Sequence, residues 1–209
     1  ERMIKRSKNV STKLSNGVNY LLSKNKVKIF KGHGTLLGNY KIGINEPNVD
    51  KQSIIESSKI IIATGAKPRQ LPNLKVDGKL IWDYRHALTP KKVPEKLIII
   101  GSGAIGIEFA SFYNAIGSTV TVIEMQDRIL PVEDKEVSDF AKKKFEERGI
   151  NFHVEADYEV VTKESSEIKL LIKTKGKEEE VVASKILVAA GIVGNLEGFG
   201  LKEMGIETK

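Results

Sequence analysis

The 209-residue chain is 40% hydrophobic and 29% charged, a balance typical of a soluble globular protein with one large or two small domains. It contains no cysteine, which excludes a disulfide framework and a thiol nucleophile within it. Its histidines, His33, His86 and His153, stand far apart, so we expect no metal site. The net charge of +7 comes from lysines interspersed with acidic residues and lacking the aromatic neighbours of nucleic-acid-binding surfaces, so we expect neither nucleic acid nor membrane as a partner.

The first third of the chain predicts a helix followed by short strands. Apolar residues recur at helical spacing over residues 1–25, which predicts a long amphipathic helix. Short apolar runs separated by Gly, Asn and Asp predict an antiparallel meander with strands at 27–37, 40–45, 53–56 and, as a final buried strand, 59–65. Prolines then interrupt residues 66–94, which predicts a crossing between two domains.

From Lys96 onward the pattern alternates between strand and helix. The predicted order is a buried strand at 97–100, a helix at 104–116, a second strand at 118–124, a helix at 135–148 and a third strand at 150–155. Hairpin-like strands follow, and 185–191 reads as a final buried strand. The predicted fold class is therefore α/β, with a parallel sheet in a Rossmann-like arrangement plus an antiparallel β-meander.

Three glycines stand between the strand at 97–100 and the helix that follows it. In a G-x-G-x-x-G loop, Gly101 permits the tight turn, Gly103 allows a diphosphate to approach the backbone, and Gly106 lets the helix pack on the sheet. The helix N-terminus then offers free N–H groups to the diphosphate. The loop and first helical turn therefore predict a dinucleotide site formed by Gly101, Ser102, Gly103, Ala104, Ile105 and Gly106.

An acid ends the second strand. Glu124 lies 18 residues beyond Gly106, where a carboxylate can accept both hydroxyls of the adenosine ribose and repel a 2′-phosphate. The spacing therefore predicts NAD rather than NADP as the cofactor. Glu108, in the first turns of the helix, is compatible with an ordinary solvent-facing residue that complements the helix dipole.

The stretch GSGAIGIEFASFYNAIGSTVTVIE resembles the NAD-binding segment of the flavoprotein disulfide reductases, and within them the dihydrolipoamide dehydrogenase subfamily. The flanks agree with the resemblance. KIIIATGAKPRQLP is similar to the family segment that passes beside the flavin, which implies FAD contacts at Ala63, Thr64 and Gly65. KILVAAGIVGNLEGFGLKEMGIE is similar to the segment that returns to the FAD domain, and it implies that Gly191 approaches the nicotinamide. The resemblance also implies a second interpretation of Glu108, as a group near the nicotinamide.

Two positions depart from the common family pattern. Ala104 stands where many members have a bulky residue, often Tyr, so we expect no side-chain gate over the nicotinamide. Residues 191–195 read Gly-Ile-Val-Gly-Asn in place of the frequent G-R-x-P-N, a form that occurs among dihydrolipoamide dehydrogenases. The resemblance implies three parts: residues 1–76 of a partial FAD-binding domain, residues 77–191 of an NAD-binding domain and a return segment at 192–209.

Several motifs of the family do not occur in the sequence: the N-terminal FAD fingerprint, the C-x4-C redox disulfide, the G-D flavin segment and the His-Glu base pair. With the first residue being Glu1, the chain is expected to be a central fragment. In the intact enzyme the resemblance implies oxidation of dihydrolipoamide through the disulfide and FAD, with hydride passed to NAD⁺. It also implies a homodimer that serves the lipoyl domains of 2-oxo acid dehydrogenase complexes in the cytoplasm. The chain by itself is expected to be inactive.

Two other interpretations stay open at this point. The chain could come from another member of the same superfamily, such as a glutathione reductase, an NADH oxidase or a ferredoxin reductase. It could also be a free-standing NAD-binding module with a sensing or scaffold role. The apolar stripe of the N-terminal helix argues against a free-standing module, because that stripe needs a surface to cover it.

Overall fold

The computed structural model describes residues 1–208, which form two compact units. One unit comprises residues 1–67 and 194–209, and the other comprises residues 68–193. The sequence predicted divisions after residues 76 and 191. Two three-residue strands, β4 (Ala66–Pro68) and β13 (Ile192–Gly194), lie in the chain where it passes from one unit to the other. None of the helices in the described residues combines the length and apolarity that a membrane-spanning segment needs.

The smaller unit begins with the predicted long helix, α1 (Arg2–Lys24), which has no buried residue. An antiparallel sheet follows in the order β1 (His33–Gly38), β2 (Lys41–Asn45) and β3 (Ser53–Glu56). The C-terminal residues 198–200 lie against β1: the N–H of Leu36 donates to the Phe199 carbonyl at 2.9 Å, and the Phe199 ring stacks on His33.

The predicted buried strand at 59–65 is wrong. These residues have no regular secondary structure, and Ile61 is 90% exposed. A strand requires a neighbouring strand to satisfy its N–H and C=O groups, and in the described part of the chain residues 60–63 have none beside them. The predicted strand at 27–37 also begins later, at His33. Val27 belongs to the end of α1 instead, because its N–H donates to the Leu22 carbonyl.

The larger unit is built on a five-stranded parallel sheet. Its spatial order is β5 (Ile81–Trp82), β12 (Lys185–Val188), β6 (Lys96–Ile100), β7 (Thr119–Ile123) and β8 (Asn151–His153). Its helices are α2 (Tyr84–Ala87), α3 (Ala104–Ala115) and α4 (Lys135–Glu146). The predicted α/β class, with a parallel sheet and antiparallel strands, is confirmed.

The residues of β6 alternate between two cores, one on each face of the parallel sheet. Leu97 and Ile99 face α3, where they pack with Ala110 and Tyr113. Ile98 and Ile100 belong to the core that contains the antiparallel sheet of β9 (Asp157–Lys163), β10 (Ile168–Thr174) and β11 (Lys177–Ala183). Because both faces are covered, the strand is apolar at consecutive positions. This packing fixes the end of β6, from which the glycine loop leaves.

A carboxylate in an exposed turn precedes β5. Asp77 accepts hydrogen bonds at 2.7–2.9 Å from three successive backbone N–H groups, those of Lys79, Leu80 and Ile81. Burial of this carboxyl favours its neutral form, but the Lys163 ammonium at 2.8 Å and the backbone donors outweigh burial. Together they lower the pKa of Asp77 from 3.8 to about 2.

Candidate functional site

The predicted glycine loop joins β6 to α3, and two of its glycines are required by the protein itself. Gly101 has φ +100°, in the region that favours glycine, and a Cβ there would lie 2.6 Å from the Ala189 carbonyl oxygen. A Cβ at Gly106 would overlap the carbonyl oxygen of Gly101. The turn and the close packing of α3 on the sheet therefore account for these two residues, as the sequence predicted.

Gly103 is different because nothing in the protein requires a glycine there. Its φ is −65°, which any residue adopts, and a Cβ built on it has no heavy atom within 4 Å. The backbone at Gly103 thus borders open space at the start of α3. A glycine that neither conformation nor packing explains is suited to a ligand that approaches the backbone closely.

No side chain caps the N-terminus of α3. Gly103 is the N-cap residue and supplies no side-chain acceptor for the first N–H groups of the helix. The other two helices of the larger unit are each capped by a carboxylate: Asp83 accepts from the first turn of α2, and Asp134 accepts from Glu136 in α4. The N–H groups at the start of α3 therefore remain available to an anion, which the helix dipole also favours.

The loop glycines and Glu124 lie at one edge of the parallel sheet. The N–H of Gly101 donates to the Ile123 carbonyl at 2.8 Å, and the N–H of Glu124 donates to the His153 carbonyl at 2.8 Å. Ala189, which follows β12, donates to Ile100 at 2.8 Å. These bonds continue the ladders of the sheet past the strands, so the carboxyl ends of β6, β7, β8 and β12 form a continuous edge, where α/β proteins bind ligands.

The Glu124 carboxylate is held by three donors. Its Oε2 accepts the Ser102 backbone N–H at 2.8 Å and the Ser102 hydroxyl at 2.6 Å. Its Oε1 accepts the Gln126 N–H at 2.9 Å. Glu124 is 8% exposed and Ser102 is 0% exposed. These contacts allow the carboxylate to be buried because each oxygen is hydrogen-bonded.

The short loop after Glu124 is tied to the same serine. The N–H of Leu130 donates to the Ser102 carbonyl at 3.0 Å, and the Arg128 guanidinium donates to the Pro131 carbonyl at 3.3 Å. The contacts of Gln126 and Leu130 were not predicted from the sequence, because they are made by backbone groups. Their position directly after the strand-ending acid was the available signal.

The remaining predicted nucleotide residues occupy α3 and the end of β12. Ala104 and Glu108 are exposed, whereas Ile105 is half-buried against the core on the α3 face of the sheet. Gly191 is exposed with φ +98°, three residues beyond the end of β12, and its carbonyl accepts the Arg69 N–H at 3.0 Å. The exposure of Glu108 fits both interpretations of that residue.

The predicted flavin residues lie in the smaller unit. Ala63 is exposed, and Thr64 donates its hydroxyl to the Asn195 carbonyl at 2.5 Å. Asn195 returns two bonds, from its amide side chain to the Thr64 carbonyl at 3.0 Å and from its backbone N–H to the Gly65 carbonyl at 2.9 Å. Gly65 has φ +75°. This segment is fixed by Asn195, which belongs to the Val-Gly-Asn sequence noted above.

The parallel sheet, the glycine-capped helix and the buried acid define a Rossmann-like α/β protein. The chain belongs to the pyridine nucleotide-disulphide oxidoreductase family, whose model matches residues 1–209. The family predicted from the sequence is thereby confirmed, and with it the oxidoreductase class.

Two similar curated relatives are both named dihydrolipoyl dehydrogenase. The chain is 44% identical over 208 residues to a dihydrolipoyl dehydrogenase of Zymomonas mobilis, covering 99% of the chain and 44% of the relative. It is 41% identical to a dihydrolipoyl dehydrogenase of Rhizobium etli, covering 99% of the chain and 46% of that relative. The chain therefore spans less than half the length of these relatives.

Solved structures agree with the fold. LpdA of Mycobacterium tuberculosis superposes with a TM-score of 0.87 at 29% identity, covering 99% of the chain and 45% of that structure. The flavoprotein disulfide reductase RclA of Escherichia coli superposes with a TM-score of 0.82 at 24% identity, covering 100% of the chain and 46% of that structure. The second likeness concerns the fold alone.

Proposed function

We propose that this chain forms the NAD-binding part of a dihydrolipoyl dehydrogenase. The single observation that carries the proposal is the open backbone at Gly103, at the start of a helix that no side chain caps. It supports a diphosphate site, and the curated relatives supply the enzyme class. When bound, NAD⁺ would accept the hydride that originates from dihydrolipoamide and passes through FAD.

The glycine loop would bind the diphosphate. The N–H groups at the start of α3 would donate to its oxygens, and the missing side chain of Gly103 would let the anion reach them. Gly101 and Gly106 would have a structural role, because they give the loop the shape that the diphosphate requires. Ala104 and Ile105 would contribute backbone contacts in the same turn.

Glu124 would bind the adenosine ribose. A ribose hydroxyl can donate to its carboxylate, whereas a 2′-phosphate is repelled by the same negative charge. This carboxylate is buried beside the loop, so its charge is poorly screened by water. We therefore propose NAD rather than NADP as the cofactor.

The other predicted roles belong to the same proposal. Glu108 and Gly191 would lie near the nicotinamide end, and Ala63, Thr64 and Gly65 would border the flavin. The whole protein is proposed to act as a cytoplasmic homodimer on the lipoyl domains of 2-oxo acid dehydrogenase complexes. The 209-residue chain by itself is expected to show no dihydrolipoamide oxidation, because it contains no cysteine to form the redox disulfide.

The proposal is tested by titrating the purified chain with NADH and NADPH and following nucleotide fluorescence or heat. We expect NADH to bind at least tenfold more tightly than NADPH. Gly103→Ala should weaken NADH binding by about tenfold, since its methyl group would enter the space meant for the diphosphate (about 1.4 kcal/mol). The melting temperature of this variant should not change, because the methyl meets no protein atom within 4 Å.

Gly17→Ala is the matched control. Gly17 also has no heavy atom within 4 Å of a built Cβ, but it lies in α1, in the other unit. It should leave the affinity for NADH unchanged. Absence of NADH binding by the unaltered chain, or unchanged NADH affinity in Gly103→Ala, would refute the proposed nucleotide site.

A further inference from the structure

Ser102 connects three parts of the candidate site although its side chain is fully buried. Its N–H and its hydroxyl both donate to Glu124 Oε2, and its carbonyl accepts from Leu130 in the loop after the acid. A hydroxyl with 0% exposure cannot reach a ligand directly. Its contribution to any nucleotide must therefore pass through Glu124.

The hydrogen bonds also limit what Glu124 can accept. A carboxylate oxygen has two lone-pair positions. The two bonds from Ser102 fill both positions of Oε2, and the Gln126 N–H takes one position of Oε1. One acceptor position is thus left, on Oε1, and it suits a single hydroxyl donor rather than the two hydroxyls of a ribose.

We infer that Ser102 is a positioning residue that sets nucleotide preference by fixing the Glu124 carboxylate. This inference rests on the proposed function, and it adds how the preference for an unphosphorylated ribose arises. The ribose hydroxyl meets an acceptor that is already oriented. A 2′-phosphate is mostly dianionic at neutral pH and meets a negative charge held in place.

The hydrogen bonds from Ser102 matter for discrimination between NAD and NADP, because a Glu124 side chain without them could rotate away from a 2′-phosphate. Rotation about the side-chain bonds would let Glu124 withdraw its charge from a 2′-phosphate at the cost of its own hydrogen bonds. The hydroxyl of Ser102 donates over the shortest of the three contacts, 2.6 Å, and charge-assisted bonds of this kind are strong. Removing it lowers the cost of that rotation.

The experiment measures the dissociation constants of NADH and NADPH for the full chain and for Ser102→Ala. The ratio of the NADPH constant to the NADH constant should fall by about tenfold, as expected for loss of one hydrogen bond to a charged group. NADH should bind more weakly, because its acceptor is less well oriented. NADPH should bind equally well or more tightly, because the opposing charge can move.

Ser118→Ala is the matched control. Ser118 is 3% exposed, and its hydroxyl donates to the Pro94 carbonyl at 2.6 Å, so burial and hydrogen-bond length match those of Ser102. This variant loses the same group from the same unit without touching Glu124. It should lower the melting temperature as Ser102→Ala does and leave the ratio of dissociation constants unchanged.

A double-mutant cycle with Glu124→Ala separates positioning from a general structural effect. In the Glu124→Ala background, Ser102→Ala should change either dissociation constant by less than twofold, because the group through which it acts is gone. If Glu124→Ala does not fold, the comparison of Ser102→Ala with Ser118→Ala decides alone.

Three outcomes overturn the inference. A chain that prefers NADH and keeps its full preference in Ser102→Ala refutes the role of Ser102 while the proposed function stands. Equal effects of Ser102→Ala with and without Glu124 refute action through that carboxylate. No binding of NADH by the unaltered chain refutes the proposed function itself, and this inference with it.

Discussion

The two units differ in how far their apolar segments are buried. In residues 68–193, β6 is covered on both faces, and Ile99 is 0% exposed. In the unit that contains residues 1–67, α1 has no buried residue and Ile61 is 90% exposed. The sequences of β6, α1 and residues 59–65 all contain apolar residues that predict burial, so composition alone does not distinguish these segments. What differs is whether neighbouring elements of the described chain are available to pack against.

This difference separates two sources of stability. The larger unit depends on packing between layers, so changes to its core should have large effects. The smaller unit holds α1 chiefly through local helix propensity, so changes there should be small and should follow that propensity. The single tryptophan, Trp82, is 6% exposed in the larger unit and serves as its fluorescent probe. The four predictions below test this contrast.

The largest contrast is expected between two isoleucines. Ile99→Ala should lower the free energy of unfolding by about 4 kcal/mol, because it leaves a cavity between β6 and α3. Ile61→Ala should change it by less than about 0.5 kcal/mol, since its side chain is already in solvent. Urea unfolding followed by circular dichroism measures both, and Trp82 fluorescence reports Ile99→Ala separately because it probes the larger unit. A loss above 1 kcal/mol for Ile61→Ala would contradict the exposed position of residues 59–65.

A slightly smaller loss of stability is expected when Gly106, which packs against the loop, is replaced. Gly106→Ala should lower the free energy of unfolding by about 3 kcal/mol, because its methyl group overlaps the Gly101 carbonyl and α3 must shift away from the sheet. Thermal unfolding followed at Trp82 measures the loss. Gly103→Ala, in the same loop, is the control and should unfold at the original temperature. Equal melting temperatures for the two variants would mean that α3 is not packed as described.

The pH dependence of the free energy of unfolding of the larger unit should reveal the contribution of Asp77. Its pKa is lowered to about 2, so the carboxylate stabilises the fold above pH 4, and this contribution is lost as the pH falls from 4 through 2. Because Asp77 is exposed, screening by solvent reduces the loss to about 1 kcal/mol. The loss of stability between pH 5 and pH 2, measured by urea unfolding, should be smaller by this amount in Asp77→Asn than in the unaltered chain.

Asp139→Asn provides the control for that measurement. Asp139 pairs with Lys135 at 2.6 Å on the surface of α4, and exposed pairs of this kind contribute little. The variant should therefore retain the acid-dependent loss seen in the unaltered chain. If Asp77→Asn retained it as well, the carboxylate at the turn before β5 would not be its source.

The smallest effect is expected in α1. Gly17→Ala should raise the stability of the helix by about 1 kcal/mol, because alanine has the higher helix propensity and nothing within 4 Å opposes its methyl group. Far-UV circular dichroism during thermal unfolding measures the gain. Destabilisation by this substitution would show that the face of α1 at Gly17 is packed, and it would remove the contrast between the units.

The glycine loop and its acid could be predicted because local geometry demands them. Gly101 needs a positive φ, Gly106 needs the absence of a Cβ, and the spacing to Glu124 follows from one strand–helix–strand unit. The helix bounds were predicted within two residues for α3 and α4, since glycines follow both. These features depend on residues that are close together in the sequence.

Features that depend on distant neighbours could not be predicted in the same way. The strand at 59–65 was predicted from its apolar residues, but strand formation depends on a pairing partner that the pattern does not reveal. The bond between Ser102 and Glu124 joins residues 22 positions apart through side-chain rotamers, which periodicity does not encode. Asp77 was missed, although the Asp77-Gly78 pair before an apolar strand is a recognised turn signal.

The three donors around Glu124 impose a condition on anyone who redesigns cofactor preference. Exchanging this acid for a small or basic residue would remove the negative charge but leave the Ser102 N–H, the Ser102 hydroxyl and the Gln126 N–H without their acceptor. Each buried donor left unsatisfied costs about 1–3 kcal/mol. A neutral acceptor at position 124 would satisfy all three donors, whereas replacing Ser102 removes only its hydroxyl and leaves both backbone N–H groups, so positions 102 and 124 have to be redesigned together.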